Sequence, residues 1–143
     1  MKRILLLFLA VFSTAFTMSA QSLSDPWNAQ QLLSTKTLAD RITKNNMKNT
    51  VVINIGPDAT IKNSYNIGAG NDVNNIEKLQ SYLKSIDKNK EIVIYCGCCP
   101  MNVCPNIRPA FKTVINAGFK KVKLLNIPKN IKVDWIDKGY PVN

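Results

Sequence analysis

Four cysteines fall within nine residues, Cys96-Gly97-Cys98-Cys99-Pro100-Met101-Asn102-Val103-Cys104, and the chain has no others. It also has no histidine, which excludes Ser-His-Asp and Cys-His catalysis, histidine metal ligation and a histidine pH switch. Chemistry must then rest on cysteine, carboxylate, lysine, tyrosine or the backbone. A thiol acts as nucleophile or metal ligand only as thiolate, and at its ordinary pKa only about 3% is ionised at neutral pH. Four chemistries suit such a cluster. A structural disulfide set is the plainest, although so short a loop leaves little chain to staple. A soft metal could take Cys96, Cys98, Cys99, Cys104 and Met101; adjacent Cys98 and Cys99 suit Cu(I) better than one tetrahedral zinc. Cys96 and Cys98 could exchange with thiols through a tight, strained and therefore oxidising ring. Cys96 alone could carry sulfur covalently.

The flanking elements must activate one of these thiols. Glu91 to Tyr95 (EIVIY) is a β-branched run that predicts a buried strand, and Cys96 follows it directly. After the cluster, Asn106 is placed to cap a helix with Ile107, Ala110, Phe111 and Val114 on its apolar stripe and Gly118 as its stop. Pro109 then falls in the first turn, where a missing N–H costs nothing. A thiol between a strand end and a helix N-terminus faces unpaired N–H groups and the positive end of the dipole. Such surroundings lower a thiol pKa to about 3.5–7.5, and Cys96 is the best placed for this.

The rest of the chain supplies the scaffold. Ser34 caps a predicted helix carrying Leu38 and Ile42 and ending near Asn45-Asn46. Thr50 to Ile55 (TVVINI) predicts a buried strand stopped by Gly56-Pro57, and residues 56 to 72 read as loop. A helix begins at Asn71 or Asp72, with Val73, Ile76, Leu79, Leu83 and Ile86 on one face. Lys121 to Leu125 is a third strand, and a short helix around Asp134-Trp135 ends at Gly139. Alternating strands and helices argue for a parallel α/β sheet covered on both faces. Trp135 is expected in the core, and Pro26-Trp27 is expected to pin the N-terminus to the domain.

Residues 1 to 20 read as a secretory signal. Lys2 and Arg3 precede an apolar run from Ile4 to Phe12, and small residues follow down to Ser19-Ala20-Gln21-Ser22. The apolar run is short of the roughly 20 residues that span a bilayer, so the protein is expected to be exported, periplasmic and not membrane-embedded. Residues 21 to 33 form an irregular lead-in and 34 to 143 a single domain. Export places the thiols in an oxidising compartment. Without Lys2 and Arg3 the 19 basic residues fall to 17 against 9 acidic ones, a net charge of +8. The lysines are scattered and no nucleic-acid motif accompanies them, so nucleic acid is not an expected partner.

The strand, Cys96, a loop ending in Arg108-Pro109-Ala110, a helix and Gly118-Phe119-Lys120-Lys121-Val122 together resemble the rhodanese-like (sulfurtransferase) domain. The closing Asp134-Trp135 and Lys138-Gly139-Tyr140-Pro141-Val142 fit that family's ending. The run CGCCPMNVCPNIRPAF is similar to a cysteine-rich, exported bacterial subgroup. The resemblance implies a five-stranded parallel sheet with helices on both faces and a catalytic Cys96 that accepts sulfane sulfur as a persulfide. It also implies a loop cradle built from Gly97, Cys98 and Arg108, the last matching the arginine that closes the family's loop. A small sulfane-sulfur donor such as thiosulfate or a persulfide, a thiol acceptor, no cofactor and a monomer follow from it. Three departures stand out. Arg108 lies 12 residues after Cys96, a longer loop than the family's. The family's Asp-x-Arg after the earlier strand is Asn54-Ile55-Gly56 here, and its His-Ile-Pro-Gly-Ala survives only as Gly68-Ala69. Arg108 could bind a substrate oxyanion or fix the loop through carbonyls. Cys99 and Cys104, five apart, could close the loop as a disulfide and leave Cys96 and Cys98 free, with Met101 as loop filler.

Overall fold

The computed structural model describes residues 25–143. The expected signal at 1 to 20 and the first four residues of the lead-in lie outside the described residues. The described chain forms β1 (Leu32–Ser34), α1 (Thr35–Thr43), β2 (Thr50–Asn54), β3 (Tyr65–Asn66), α2 (Val73–Lys84), β4 (Glu91–Tyr95), α3 (Ile107–Asn116), β5 (Val122–Asn126) and α4 (Ile131–Asp134). All strand pairs are parallel, in the order β1-β5-β4-β2-β3. This is the α/β architecture expected, a five-stranded parallel sheet, here with four helices. None of the described helices is long and apolar enough to cross a membrane.

Side chains on a strand alternate between faces, and the central strands feed two cores. Ile53, Ile92, Ile94 and Leu124 point to the face covered by Leu79 and Leu83 of α2 and by Phe111 and Val114 of α3. Val52, Val93, Tyr95 and Leu125 point to the other, against Leu38 and Ile42 of α1 and against Trp135. Each such side chain, fully buried, contributes about 1.5–3 kcal/mol. Tyr95 and Cys96 are consecutive and both buried, yet they belong to opposite faces. The strand end therefore aims the thiol toward α3 and the phenol away from it.

The local signals act largely as the sequence indicates. Ser34 Oγ accepts from the Thr37 N–H at 3.1 Å, and Asp72 caps α2 through Asn74 N at 2.8 Å. Asn45, at φ 54°, turns the chain out of α1, and Gly118 (φ 88°), after α3, and Gly139 (φ 67°), after the short 3-10 turn Ile136–Lys138, occupy the left-handed region that favours glycine. Trp135 is fully buried and its indole N–H donates to Pro141 O at 2.9 Å. Trp27 packs edge-on against Phe111 with ring centroids 5.6 Å apart, so Pro26-Trp27 does pin the lead-in.

Four expectations need correction. Leu32–Ser34 is an edge strand paired with β5 rather than irregular lead-in. Tyr65–Asn66 adds a second edge strand inside the stretch read as loop. Val73 is 71% exposed, because it opens α2 at a position turned away from the sheet. Asn106 precedes α3 but makes no side-chain cap; its φ and ψ are already helical, and its amide is used elsewhere.

Candidate functional site

Cys96 leaves the end of β4 with 1% of its surface exposed. Its sulfur lies 3.3 Å from Cys98 Sγ, and the Cys96, Cys98 and Cys104 sulfurs all fall within 4.8 Å of one another. Cys99 Sγ is 3.3 Å from that of Cys98 but stands outside this group. All four cysteines are free thiols. Met101 is half-buried against the α3-side core and its backbone N–H donates to Ile127 O at 3.1 Å, as loop filler would. Of the five soft donors considered from sequence, the structure gathers three.

Glycines let the backbone close in. A Cβ on Gly56 would stand 2.9 Å from Cys96 Sγ, and one on Gly97 would stand 2.7 Å from Ile131 Cβ. Gly97 O accepts from the Ile131 N–H at 2.9 Å, so α4 starts against the first residue of the loop. A cavity of about 150 Å³ opens beside it, lined by Pro57, Asp58, Thr60, Gly97, Cys98 and Ile131. Larger cavities lie between α2 and α3 and beside β2, and neither is lined by a cysteine.

Asn106 is the site residue that sequence reasoning missed. It is buried, with Oδ1 accepting from Asn71 N at 3.2 Å and Nδ2 donating to Cys96 Sγ at 3.4 Å. Gly70 makes room, since a Cβ there would meet Asn106 O at 2.5 Å. Its position before a helix suggested a cap. Only the approach of the loop before α2 reveals the amide as a bridge to sulfur.

These neighbours set the protonation. The Cys104 thiol, donating to Cys96, lowers the Cys96 pKa most; burial opposes it, and Asn106 Nδ2, the Cys98 N–H and the Cys98 thiol add to it, leaving about 5. At neutral pH Cys96 is therefore thiolate. The donors pay the opposite shift: loss of water around its sulfur and the Cys96 anion push Cys98 up to about 12. The same hydrogen bond to Cys96, with burial, pushes Cys104 up as well. The cluster is one anion held by two protonated thiols, an amide and a backbone N–H.

Arg108 lies between the lead-in and the loop, its side chain 30% exposed. One guanidinium nitrogen binds Asp25 Oδ1 at 2.5 Å and Asn102 O at 2.9 Å, and the group lies 5.5 Å from the Trp27 ring centre. Of the two roles considered, the contacts are those of loop fixing. Asn54, at the end of β2, is fully buried and donates to Gly56 O and Asn66 Oδ1, each at 2.9 Å.

No protein-family model matches the chain, and no curated protein matches it in sequence. Solved structures do share its fold. A full-length protein from Lactobacillus plantarum is 15% identical with a TM-score of 0.56, covering 80% of this chain and 88% of that one. A variant of EanB, in complex with ergothioneine covalently linked with a persulfide cysteine, is 15% identical with a TM-score of 0.57 over 79% of this chain. Wild-type EanB superposes with a TM-score of 0.55 at 15% identity. The chain corresponds to only 28% of the EanB variant's length.

Proposed function

We propose that this is an exported, periplasmic, rhodanese-like sulfurtransferase that carries sulfane sulfur as a persulfide on Cys96. The observation that carries the reading is the place of Cys96, buried at the end of β4 with its sulfur 3.3 Å from Cys98 Sγ and 3.4 Å from Asn106 Nδ2, surroundings that lower its pKa to about 5. A thiolate that is fully formed at neutral pH attacks the sulfane sulfur of a small donor. With thiosulfate, the S–S bond breaks, its electron pair leaves with sulfite, and the sulfur stays on Cys96 as an anionic persulfide. The donors that hold the thiolate are then in place to stabilise the persulfide anion. The persulfide named in the EanB complex supports the same chemistry on a shared fold.

Cyanolysis tests this. Reduced Cys98→Ser protein, which lacks the thiol 3.3 Å from Cys96 that could displace the sulfur, should yield stoichiometric thiocyanate with cyanide after incubation with thiosulfate or polysulfide and desalting. Protein that yields none from thiosulfate, polysulfide or a persulfide donor overturns the reading. A second reading, a Cu(I) module, is favoured by the three sulfurs within 4.8 Å, a trigonal soft-donor set. Purification with stoichiometric copper and no sulfur uptake would select it.

A further inference from the structure

A persulfide on Cys96 would be sealed from bulky acceptors. Cys96 is 1% exposed and does not line the adjoining cavity, whereas Cys98 does and is itself exposed. The two sulfurs are 3.3 Å apart, the separation of a near-attack pair. An intramolecular thiol so placed competes with external thiols at an effective concentration of up to about 10⁵–10⁸ M.

We propose that Cys98 is a resolving thiol: it attacks Cys96 Sγ of the persulfide, expels the outer sulfur as sulfide and leaves a Cys96–Cys98 disulfide. The inference rests on the sulfur-carrying reading of Cys96 and specifies how the sulfur leaves. The Sγ–Sγ bond between Cys98 and Cys96 forms as the Cys96 Sγ–outer sulfur bond breaks. The Cys98 proton passes first to the anionic outer sulfur, so that Cys98 attacks as thiolate and the electron pair departs with hydrosulfide. The outer sulfur is reduced to sulfide while Cys96 and Cys98 end oxidised as a disulfide, so the step needs no further oxidant. An external dithiol then reduces the bridge by two exchange steps and is itself oxidised. Cys104 is close enough to compete but is fully buried, and a bridge to it would be closed to that dithiol. A bridge that includes the exposed Cys98 is open to it.

The test is a single turnover of the full chain, reduced, freed of reductant and mixed with stoichiometric thiosulfate. Wild type should release stoichiometric sulfide, and peptide mapping after alkylation should find Cys96 linked to Cys98. Cys98→Ser, an exposed position whose change leaves the core intact, should accumulate Cys96 persulfide and release sulfide at least about tenfold more slowly. Sulfide release from Cys98→Ser at the wild-type rate overturns the proposal. So does a wild-type protein that keeps its persulfide, or passes it to Cys98, without forming the bridge. In those cases sulfur uptake itself stands. No sulfur uptake in either protein overturns both this proposal and the reading beneath it.

Discussion

Two loops leave the same end of the sheet, after the neighbouring strands β2 and β4, and each contains or meets a buried asparagine. After β2, Asn54 turns its amide back on Gly56 and Asn66. Tyr95 Oη accepts from Ile61 N and pairs with Ser64 Oγ, and the C-terminus adds Lys62 N to Pro141 O and Asn143 N to Thr60 O. Those polar groups are spent on holding the chain. After β4, Asn106 gives one side of its amide to Asn71 and the other to a thiolate. The loop after β2 is a scaffold, and the loop after β4 stores a charge.

The largest change in chemistry is expected from Asn106→Asp. The new carboxylate can still accept from Asn71 N, but it sets a negative charge beside Cys96 in place of a donor. Wild-type alkylation of Cys96 should be half-maximal near the thiol's pKa of about 5 and fall below it as the thiolate is protonated. The variant's midpoint should rise by about one to two pH units; an unmoved midpoint would remove Asn106 from the site. The same depressed pKa has a sign in stability. Its contribution is complete above the unfolded thiol's value near 9 and is lost as pH falls toward about 5. Urea titrations between those limits should show wild type gaining stability with pH, relative to Cys96→Ala.

Asn54→Ala sharpens the contrast from the other side. It leaves the buried Gly56 N–H and carbonyl without their side-chain partner, at about 1–3 kcal/mol of stability, while Asn66 Oδ1 keeps the Gly68 N–H. Urea denaturation should register that loss while the Cys96 alkylation midpoint stays near its wild-type value. Arg108→Lys should have the smallest effect. It keeps the charge but loses the planar fork between Asp25 and Asn102 O. The Arg108 and Asp25 side chains are 30% and 39% exposed, so the stability loss should be about 1 kcal/mol or less. Sulfur uptake, read by cyanolysis with Cys98→Ser in both proteins, should be unchanged, and a large fall in uptake would return Arg108 to substrate binding.

The contrast also marks what the sequence could reveal. TVVINI and EIVIY announce central strands because such strands are buried on both faces and read as continuous apolar runs. The edge strands carry no such run: Leu32–Ser34 and Tyr65–Asn66 have three and two residues, and their pairing is set by β5 and β2 rather than by their own pattern. The activated thiol was legible from its place at a strand end before a helix. Its partners were not. Asn106 looks like a cap, and its tie to Asn71 spans 35 residues, a separation no local pattern encodes. Arg108 likewise meets Asp25 across 83 residues.

The central claim is that sulfur binds Cys96 and not its neighbours, and intact-protein mass spectrometry of Cys98→Ser beside the variant that also carries Cys96→Ser tests it most directly. After a sulfane donor and rapid alkylation at pH 6, with Cys98→Ser in both proteins to hold any persulfide in place, the protein retaining Cys96 should gain one sulfur. Peptide mapping should put that sulfur on Cys96, and the partner lacking Cys96 should gain none while showing a native circular dichroism spectrum. Equal sulfur gain in the folded protein without Cys96 would contradict the account.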